Sequence, residues 1–203
     1  MNITKGQGNY WELKDQISQF KKIIITGPHG SGTKITTKVI AEDFDLEYVR
    51  GEYAWGLDEY YDSNGIVTYH QTLEEKNYSM FAPSQSCHLH RISDILSDVL
   101  VVFMYKNIKE IEQYTKRNPF VKNQSHVYEM SVYRQMILED FPEDATILKE
   151  SIEDITYYIW EKHQRKLIPN WIEIEHSSLE GHKLWINKEE RKDFKEWQTS
   201  HDK

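Results

Sequence analysis

The residues best suited to chemistry form a glycine-rich loop between a predicted strand and a predicted helix. Three of the chain's nine glycines fall within six positions of this loop, which reads Gly27, Pro28, His29, Gly30, Ser31, Gly32, Thr33, Lys34. Glycines let successive backbone N–H groups turn inward, and a helix that begins directly after them adds the positive end of its dipole. Such a loop is suited to bind a chain of phosphates. The simpler alternative is an ordinary tight turn between a strand and a helix.

The loop departs from the standard phosphate-binding pattern G-x-x-x-x-G-K-[ST] at two positions. Gly27 and Gly32 have the required spacing. Thr33, however, occupies the lysine position, and Lys34 occupies the Ser/Thr position. We predict that Thr33 offers its hydroxyl to Mg²⁺ and that Lys34 reaches the β- and γ-phosphates from its shifted position. Two further hydroxyls of the same helix are alternatives for the metal: Thr36 and Thr37.

A carboxylate and two aromatic residues follow the next predicted strand, Leu46–Val49. The carboxyl ends of strands in a doubly wound sheet face the ligand crevice. Glu52 is therefore placed to accept the proton of a substrate hydroxyl that attacks a γ-phosphate, and it is also a candidate ligand for Mg²⁺. Tyr53 and Trp55 are predicted to stack on a nucleobase. The alternative is a solvated glutamate beside two aromatics of the core.

Polar residues also follow the predicted strand Tyr78–Ala82. Gln85, His88 and Arg91 are predicted to contact the substrate base or its phosphates, with a helix cap and surface histidines as the alternative. His88 and His90 have a spacing found in metal sites. No cysteine or carboxylate cluster completes a zinc set beside them, so the sequence argues against zinc here.

Basic residues are enriched between positions 105 and 122. Arg117 ends the predicted helix Ile108–Arg117, where a lid residue of a kinase would neutralise charge in the transition state. The usual alternative for such charges is a solvated helix face.

Predicted strands and helices alternate along the chain around these residues. Continuous apolar runs predict buried strands at Lys21–Thr26 and Val99–Tyr105, and helical periodicity follows at Thr33–Phe44 and Ile108–Arg117. This alternation favours an α/β fold of three layers with a mostly parallel central sheet. We predict a single domain over residues 1–203, with residues 1–8 and 198–203 frayed.

The composition excludes several classes of protein. The 203 residues include 26 aromatics (6 Trp, 13 Tyr, 7 Phe), too many for a disordered chain. A net charge of −8 argues against a general nucleic-acid coat. No apolar run is long enough to cross a bilayer, so no membrane partner is expected. The single cysteine, Cys87, fits a reducing compartment, and we predict a cytoplasmic protein.

Several stretches together resemble the P-loop kinases of bacteriophages: the glycine-rich loop, residues 82–90, residues 101–104 and residues 178–186. The resemblance covers roughly residues 21–197, and the nearest group phosphorylates 5-hydroxymethyluracil in phage DNA. It implies a P-loop NTPase-like fold, with ATP and Mg²⁺ as cofactors. It also implies transfer of the γ-phosphate to the base hydroxymethyl group, a step towards hypermodified thymidines that protect phage DNA from host restriction.

Two features refine what this resemblance implies. The stretch Glu52–Trp55 is similar to the Glu-x-x-Trp element of deoxynucleoside kinases, in which the glutamate is the catalytic base. The acidic net charge leaves a free nucleotide open as the acceptor beside DNA. Any DNA contact must be confined to a local basic groove.

Two other interpretations use some of the same residues. Ser31 to Lys34 resembles the phosphosulfate loop of sulfotransferases, and Val101 to Lys109 resembles their strand leading to the 3′-phosphate site. Gly30 and Lys106 stand where that family has a lysine and an arginine. The remaining interpretation is a degenerate loop that binds nucleotide without catalysis, which the missing lysine favours.

Overall fold

The computed structural model describes residues 4–28, 30–50, 76–82, 89–117, 138–144 and 152–185. These residues form a six-stranded sheet in which every pairing is parallel. Its strands are β1 Lys5–Gly8, β2 Lys22–Thr26, β3 Glu47–Arg50, β4 Tyr78–Phe81, β5 Val99–Tyr105 and β6 Trp171–Glu175. They lie side by side in the order β1-β6-β5-β2-β4-β3. The predicted α/β class with a parallel sheet is confirmed.

Helices connect most of these strands. The α-helices are α1 Tyr10–Ile17, α2 Thr33–Asp43, α3 Ile108–Arg117 and α4 Ile152–Ile159. Helix α4 continues through a π-helical turn, Trp160–Gln164, and a last α-helical turn, Arg165–Leu167. Leu89–Ile95 and His176–Leu179 are 3-10 helices. In the described part of the chain, no helix combines the length and apolar character needed to cross a bilayer.

The strands bury both faces, because side chains point to opposite sides in alternation. In β5, Val101 and Phe103 face a cluster that contains Trp160, and the rings of Phe103 and Trp160 stack with centroids 4.3 Å apart. Val102 and Met104 face the opposite cluster, which includes side chains of α1 and α2. Helices therefore pack against both sides of the sheet.

One buried carboxylate lies in the core beside the π-helical turn. Glu173 in β6 is 1% exposed, and its Oε1 accepts hydrogen bonds from Nε1 of Trp160 at 2.7 Å and Nη1 of Arg165 at 3.1 Å. A buried charge is costly unless it is paired and hydrogen-bonded. These two donors fix the end of α4 against β6.

The strand order places a crevice next to the glycine-rich loop. From β2 the chain passes through α2 to β3 on one side of β2, whereas from β5 it passes to β6 on the other side. In open parallel sheets, ligands bind outside the carboxyl ends of the strands where the order reverses in this way. Here that point lies between β2 and β5.

The structure differs from the sequence predictions near the N-terminus. Residues 5–8, predicted to be frayed, form the edge strand β1, in which Lys5 pairs with Trp171 and Gly8 with Ile174. The residue pattern here is weak, because the backbone of a short, glycine-containing stretch makes this pairing. Helix α1 was not predicted, although Asn9 and Glu12 form a capping box at its start. Residues 198–203 lie outside the described residues.

The segment before β5 is the 3-10 helix Leu89–Ile95, whose turns are tighter than those of an α-helix. Leu89 and Leu96 are fully buried at its two ends, so the segment is fixed by burial rather than by α-helical hydrogen bonds.

Candidate functional site

The backbone of the glycine-rich loop requires its glycines. Gly27, Gly30 and Gly32 have φ angles of +134°, +83° and +95°, a region that L side chains rarely adopt. A Cβ on Gly27 would also lie 2.9 Å from the carbonyl oxygen of Met104. The loop therefore lies directly against β5, at the crevice that the strand order creates.

Helix α2 begins at this loop with an uncapped N-terminus. Gly32 is the N-cap residue, and it supplies no side-chain hydrogen bond to cap the helix. The amide of Ser31 donates to the carbonyl of Pro28 at 3.0 Å, which closes the loop on itself. The first N–H groups of a helix have no partner within the helix and carry its positive dipole end. This end of α2 is consequently suited to an anion.

A buried hydroxyl without a partner lies within the loop. The Ser31 side chain is 0% exposed, and its Oγ makes no hydrogen bond within the described part of the chain. It lies 3.0 Å from the place where a Cβ of Gly27 would stand. An unpaired buried hydroxyl is unfavourable, and most such groups are satisfied by protein, water or ligand. An oxyanion in the loop would give it a partner.

Ser31→Ala is expected to weaken anion binding without destabilising the free protein. The substitution removes a hydroxyl that has no partner, so the free energy of unfolding should stay within about 0.5 kcal/mol of the original. Isothermal titration with inorganic tripolyphosphate should show about tenfold weaker binding, because a hydrogen bond to a charged group is lost.

Ser79→Ala is the matched control for this substitution. Ser79 is equally buried, but its Oγ donates to the carbonyl of Thr37 at 3.0 Å. Its loss should lower stability by about 1 kcal/mol and leave the affinity for tripolyphosphate unchanged. Equal affinities in Ser31→Ala and the original protein would remove the Ser31 hydroxyl from the site.

The structure separates the three threonines that were candidates for the metal. The hydroxyl of Thr36 donates to the carbonyl of Gly32 at 3.0 Å, and that of Thr37 donates to the carbonyl of Thr33 at 2.8 Å. Both hydroxyls are thus engaged by the backbone of α2. Thr33, the first residue of the helix, stays the predicted metal ligand. Lys34 follows it with an exposed side chain, and its contact with phosphates stays a prediction.

Sequence reasoning missed a histidine that lies against the loop. A Cβ on Gly32 would overlap Cδ2 of His176 and lie 2.7 Å from its Nε2. His176 follows β6, far from the loop in the chain, and its surroundings in the sequence show no pattern that predicts a site.

An ion-paired cluster holds the segment 176–185 against α2. Asp43, at the end of α2, accepts hydrogen bonds from Tyr10 at 2.6 Å, Lys14 at 2.8 Å and Nε2 of His182 at 3.2 Å. Nδ1 of His182 accepts a hydrogen bond from the amide of Leu184. Nε2 of the neutral ring therefore carries the hydrogen and donates it in the hydrogen bond to Asp43. Burial alone would raise the pKa of Asp43, but these hydrogen bonds outweigh it and lower that pKa.

Arg91, predicted to bind substrate, is paired with carboxylates of the segment 138–144. Its Nε lies 2.7 Å from Asp140 and its Nη2 lies 3.0 Å from Glu139. Nε2 of His90 also lies 2.8 Å from Asp140, while burial lowers the pKa of His90. A substrate phosphate would have to displace these carboxylates from Arg91, so its role in substrate binding stays a prediction without support from its contacts.

The same segment is held from its other end by α4 and the π-helical turn. Asp144 is bonded to Tyr158 at 2.7 Å, to Lys162, and to Nε2 of His163 at 2.6 Å. Burial raises the pKa of Asp144, but the hydrogen bonds from these three residues outweigh it and lower the pKa to about 2. This cluster fastens the segment 138–144 to the body of the protein.

Several predicted site residues lie outside the described residues: His29, Glu52, Tyr53, Trp55, Gln85, His88 and the side chain of Arg117. Their roles stay predictions. Strand β3 ends at Arg50, two residues before Glu52, and α3 ends at Arg117. Across the described ranges, no group of three or more His, Cys, Asp or Glu side chains is arranged to hold a metal ion.

Comparison of the chain with protein-family models, with curated proteins and with solved structures gave no match.

Proposed function

We propose that this protein is an ATP-dependent kinase with a P-loop NTPase-like fold that phosphorylates a hydroxyl group of a nucleotide substrate. The acceptor that we propose is the 5-hydroxymethyl group of 5-hydroxymethyluracil in viral DNA. Phosphorylation there would be a step in the hypermodification of thymidine, which protects phage DNA from host restriction.

The observation that carries the proposal is the loop from Gly27 to Lys34. It lies at the carboxyl end of β2, where the strand order reverses, and it leads into the uncapped N-terminus of α2. The buried and unpartnered hydroxyl of Ser31 supports an oxyanion as its ligand. The site thus has the donors, the positive dipole end and the free hydroxyl that a phosphate chain requires.

The residues take the following roles in this proposal. The loop amides and α2 hold the phosphates, and Thr33 would hold Mg²⁺, which neutralises charge on the phosphate oxygens. Glu52 takes the proton of the acceptor hydroxyl as its oxygen bonds to the γ-phosphorus and the bond to the leaving ADP breaks. Lys34 and Arg117 neutralise the charge of the transferring group.

The proposal is tested by phosphoryl transfer to defined acceptors. The protein is incubated with γ-labelled ATP and Mg²⁺ and either DNA containing 5-hydroxymethyluracil or the same DNA with thymine. The two bases differ by one hydroxyl oxygen, so label on the first DNA alone supports the proposed acceptor. Free nucleotides and nucleosides form a third arm, and label found only there would replace DNA by a free acceptor.

Two outcomes would overturn the proposal that the protein is a kinase. Transfer of labelled sulfate from phosphoadenosine phosphosulfate, without transfer from ATP, would identify a sulfotransferase. Binding of ATP without transfer to any acceptor would leave a non-catalytic nucleotide-binding protein.

A further inference from the structure

His176 reaches the glycine-rich loop from a strand that is not adjacent to it. It is the first residue after β6, and β5 lies between β6 and β2 in the sheet. Its imidazole nevertheless touches Gly32, with Nε2 2.7 Å from the position of a Cβ on that residue. The ring must therefore pass over the carboxyl end of β5. It therefore lies beside the glycine-rich loop at this end of the sheet.

The imidazole is also in contact with an aromatic side chain. The ring of Trp185 packs on it with centroids 4.7 Å apart and planes inclined by 53°. The following residues are anchored as well. Oγ of Ser178 accepts a hydrogen bond from the amide of Tyr10 at 3.1 Å, and Leu179 is fully buried. The orientation of the Cδ2–Nε2 edge towards the loop is thus a built feature of the segment 176–185.

The electrostatics of this position favour an anion as the common ligand. The N-terminus of a helix carries partial positive charge and therefore attracts an anion. The neighbouring loop contains the buried hydroxyl of Ser31, which makes no hydrogen bond to any described residue. An oxyanion bound there would accept hydrogen bonds from the helix amides, from the Ser31 hydroxyl and from a ring N–H of His176.

We infer that His176 is a phosphate-binding residue whose imidazole hydrogen-bonds the phosphate chain in the glycine-rich loop. The inference rests on the proposed nucleotide site. His176 supplies a donor beside a loop in which Thr33 stands in the position of the usual lysine. This residue then helps set the affinity for phosphates and not for the base.

The experiment measures binding of inorganic tripolyphosphate and of ATP by isothermal titration, with thermal unfolding as the check on folding. His176→Phe keeps a ring against Trp185 but removes the N–H, whereas His176→Gln keeps a donor of similar reach. Lys183→Ala is the control in the same segment, because Lys183 is exposed and pairs with Glu42. We expect His176→Phe to bind both ligands about ten- to a hundredfold more weakly, and His176→Gln to stay within about threefold of the original.

Each other result has a defined meaning. Unchanged affinity of a folded His176→Phe for tripolyphosphate would overturn the inference. So would weaker binding of ATP alone, which would make His176 a stacking partner of the base. If both His176 variants and Lys183→Ala weaken binding equally, the effect comes from the fold of the segment. That result would also overturn the inference. If the unsubstituted protein binds neither ligand, the proposed nucleotide site itself is wrong.

Discussion

Replacing Gly32 by alanine is expected to abolish phosphate binding and to lower stability more than a positive φ angle alone explains. An L side chain in this region costs about 1–2 kcal/mol. At Gly32 the new Cβ would also overlap the imidazole of His176, so either that ring or the start of α2 has to move. Movement of α2 misplaces the amides that hold the anion. We expect tripolyphosphate binding to weaken about a hundredfold or more, since at least two charge-assisted hydrogen bonds are lost.

Gly181→Ala is the matched control for this substitution. Gly181 has a φ angle of +91°, close to the +95° of Gly32, but a Cβ there would meet no atom within 4 Å. Its replacement should therefore show the backbone cost alone, a fall of about 2–8 °C in Tm, with normal binding. If Gly32→Ala matches Gly181→Ala in both Tm and binding, the contact between His176 and the loop has no energetic weight.

A double variant separates the overlap from the backbone strain. In Gly32→Ala/His176→Ala the imidazole is gone, so stability should return to that of Gly181→Ala. Phosphate binding should not return, because the double variant lacks the His176 donor. Recovery of both quantities would leave His176 without a role in binding.

Glu52→Gln is expected to lower phosphoryl transfer about 10²- to 10⁴-fold, the usual contribution of a general base. The substitution keeps the size and polarity of the side chain but cannot accept the proton. ATP affinity should be unchanged, because the proposed site for the phosphates is the loop between β2 and α2. Strand β3 lies two positions from β2 in the sheet, about 10 Å away at ordinary strand spacing. We therefore assign Glu52, which follows β3 in the chain, to the acceptor and not to the phosphates.

The control for Glu52→Gln is Glu47→Gln in the same strand. Glu47 begins β3 and pairs with Lys76 at 3.1 Å, at the opposite end of the strand from the crevice. Its replacement should leave turnover and ATP affinity as they are. Unchanged turnover in Glu52→Gln would exclude Glu52 as the base, and the phosphoryl acceptor would then need another group for its proton.

Local sequence patterns were sufficient for the central strands and the loop. The apolar run Val99–Tyr105 is β5 over the same residues, and the run ending at Thr26 is β2. Helix α2 begins at Thr33 as its periodicity and the preceding glycines predict. These features depend on neighbouring residues, and a strand buried on both faces or a glycine at positive φ leaves a local record in the sequence.

Contacts between distant parts of the chain could not be predicted from local residue patterns. The edge strand β1 is made by backbone pairing with β6, and Arg91 is paired with Asp140 and Glu139 rather than left open to a substrate. The burial of the Ser31 hydroxyl depends equally on how the loop packs against β5. Each of these contacts depends on the strand order. That order is set by pairing between segments that are far apart in the sequence.

Residue types in succession are enough to predict the chemistry that the loop offers: glycines for an inward-facing backbone, hydroxyls, and a helix start beside them. The surroundings of that loop depend on the packing of the whole sheet. That packing set the loop between β2 and β5, where the strand order reverses, and it brought His176 across the end of β5 onto Gly32. The physical reason is that the first depends on residue types in succession, whereas the second depends on which surfaces pack together once the sheet has formed.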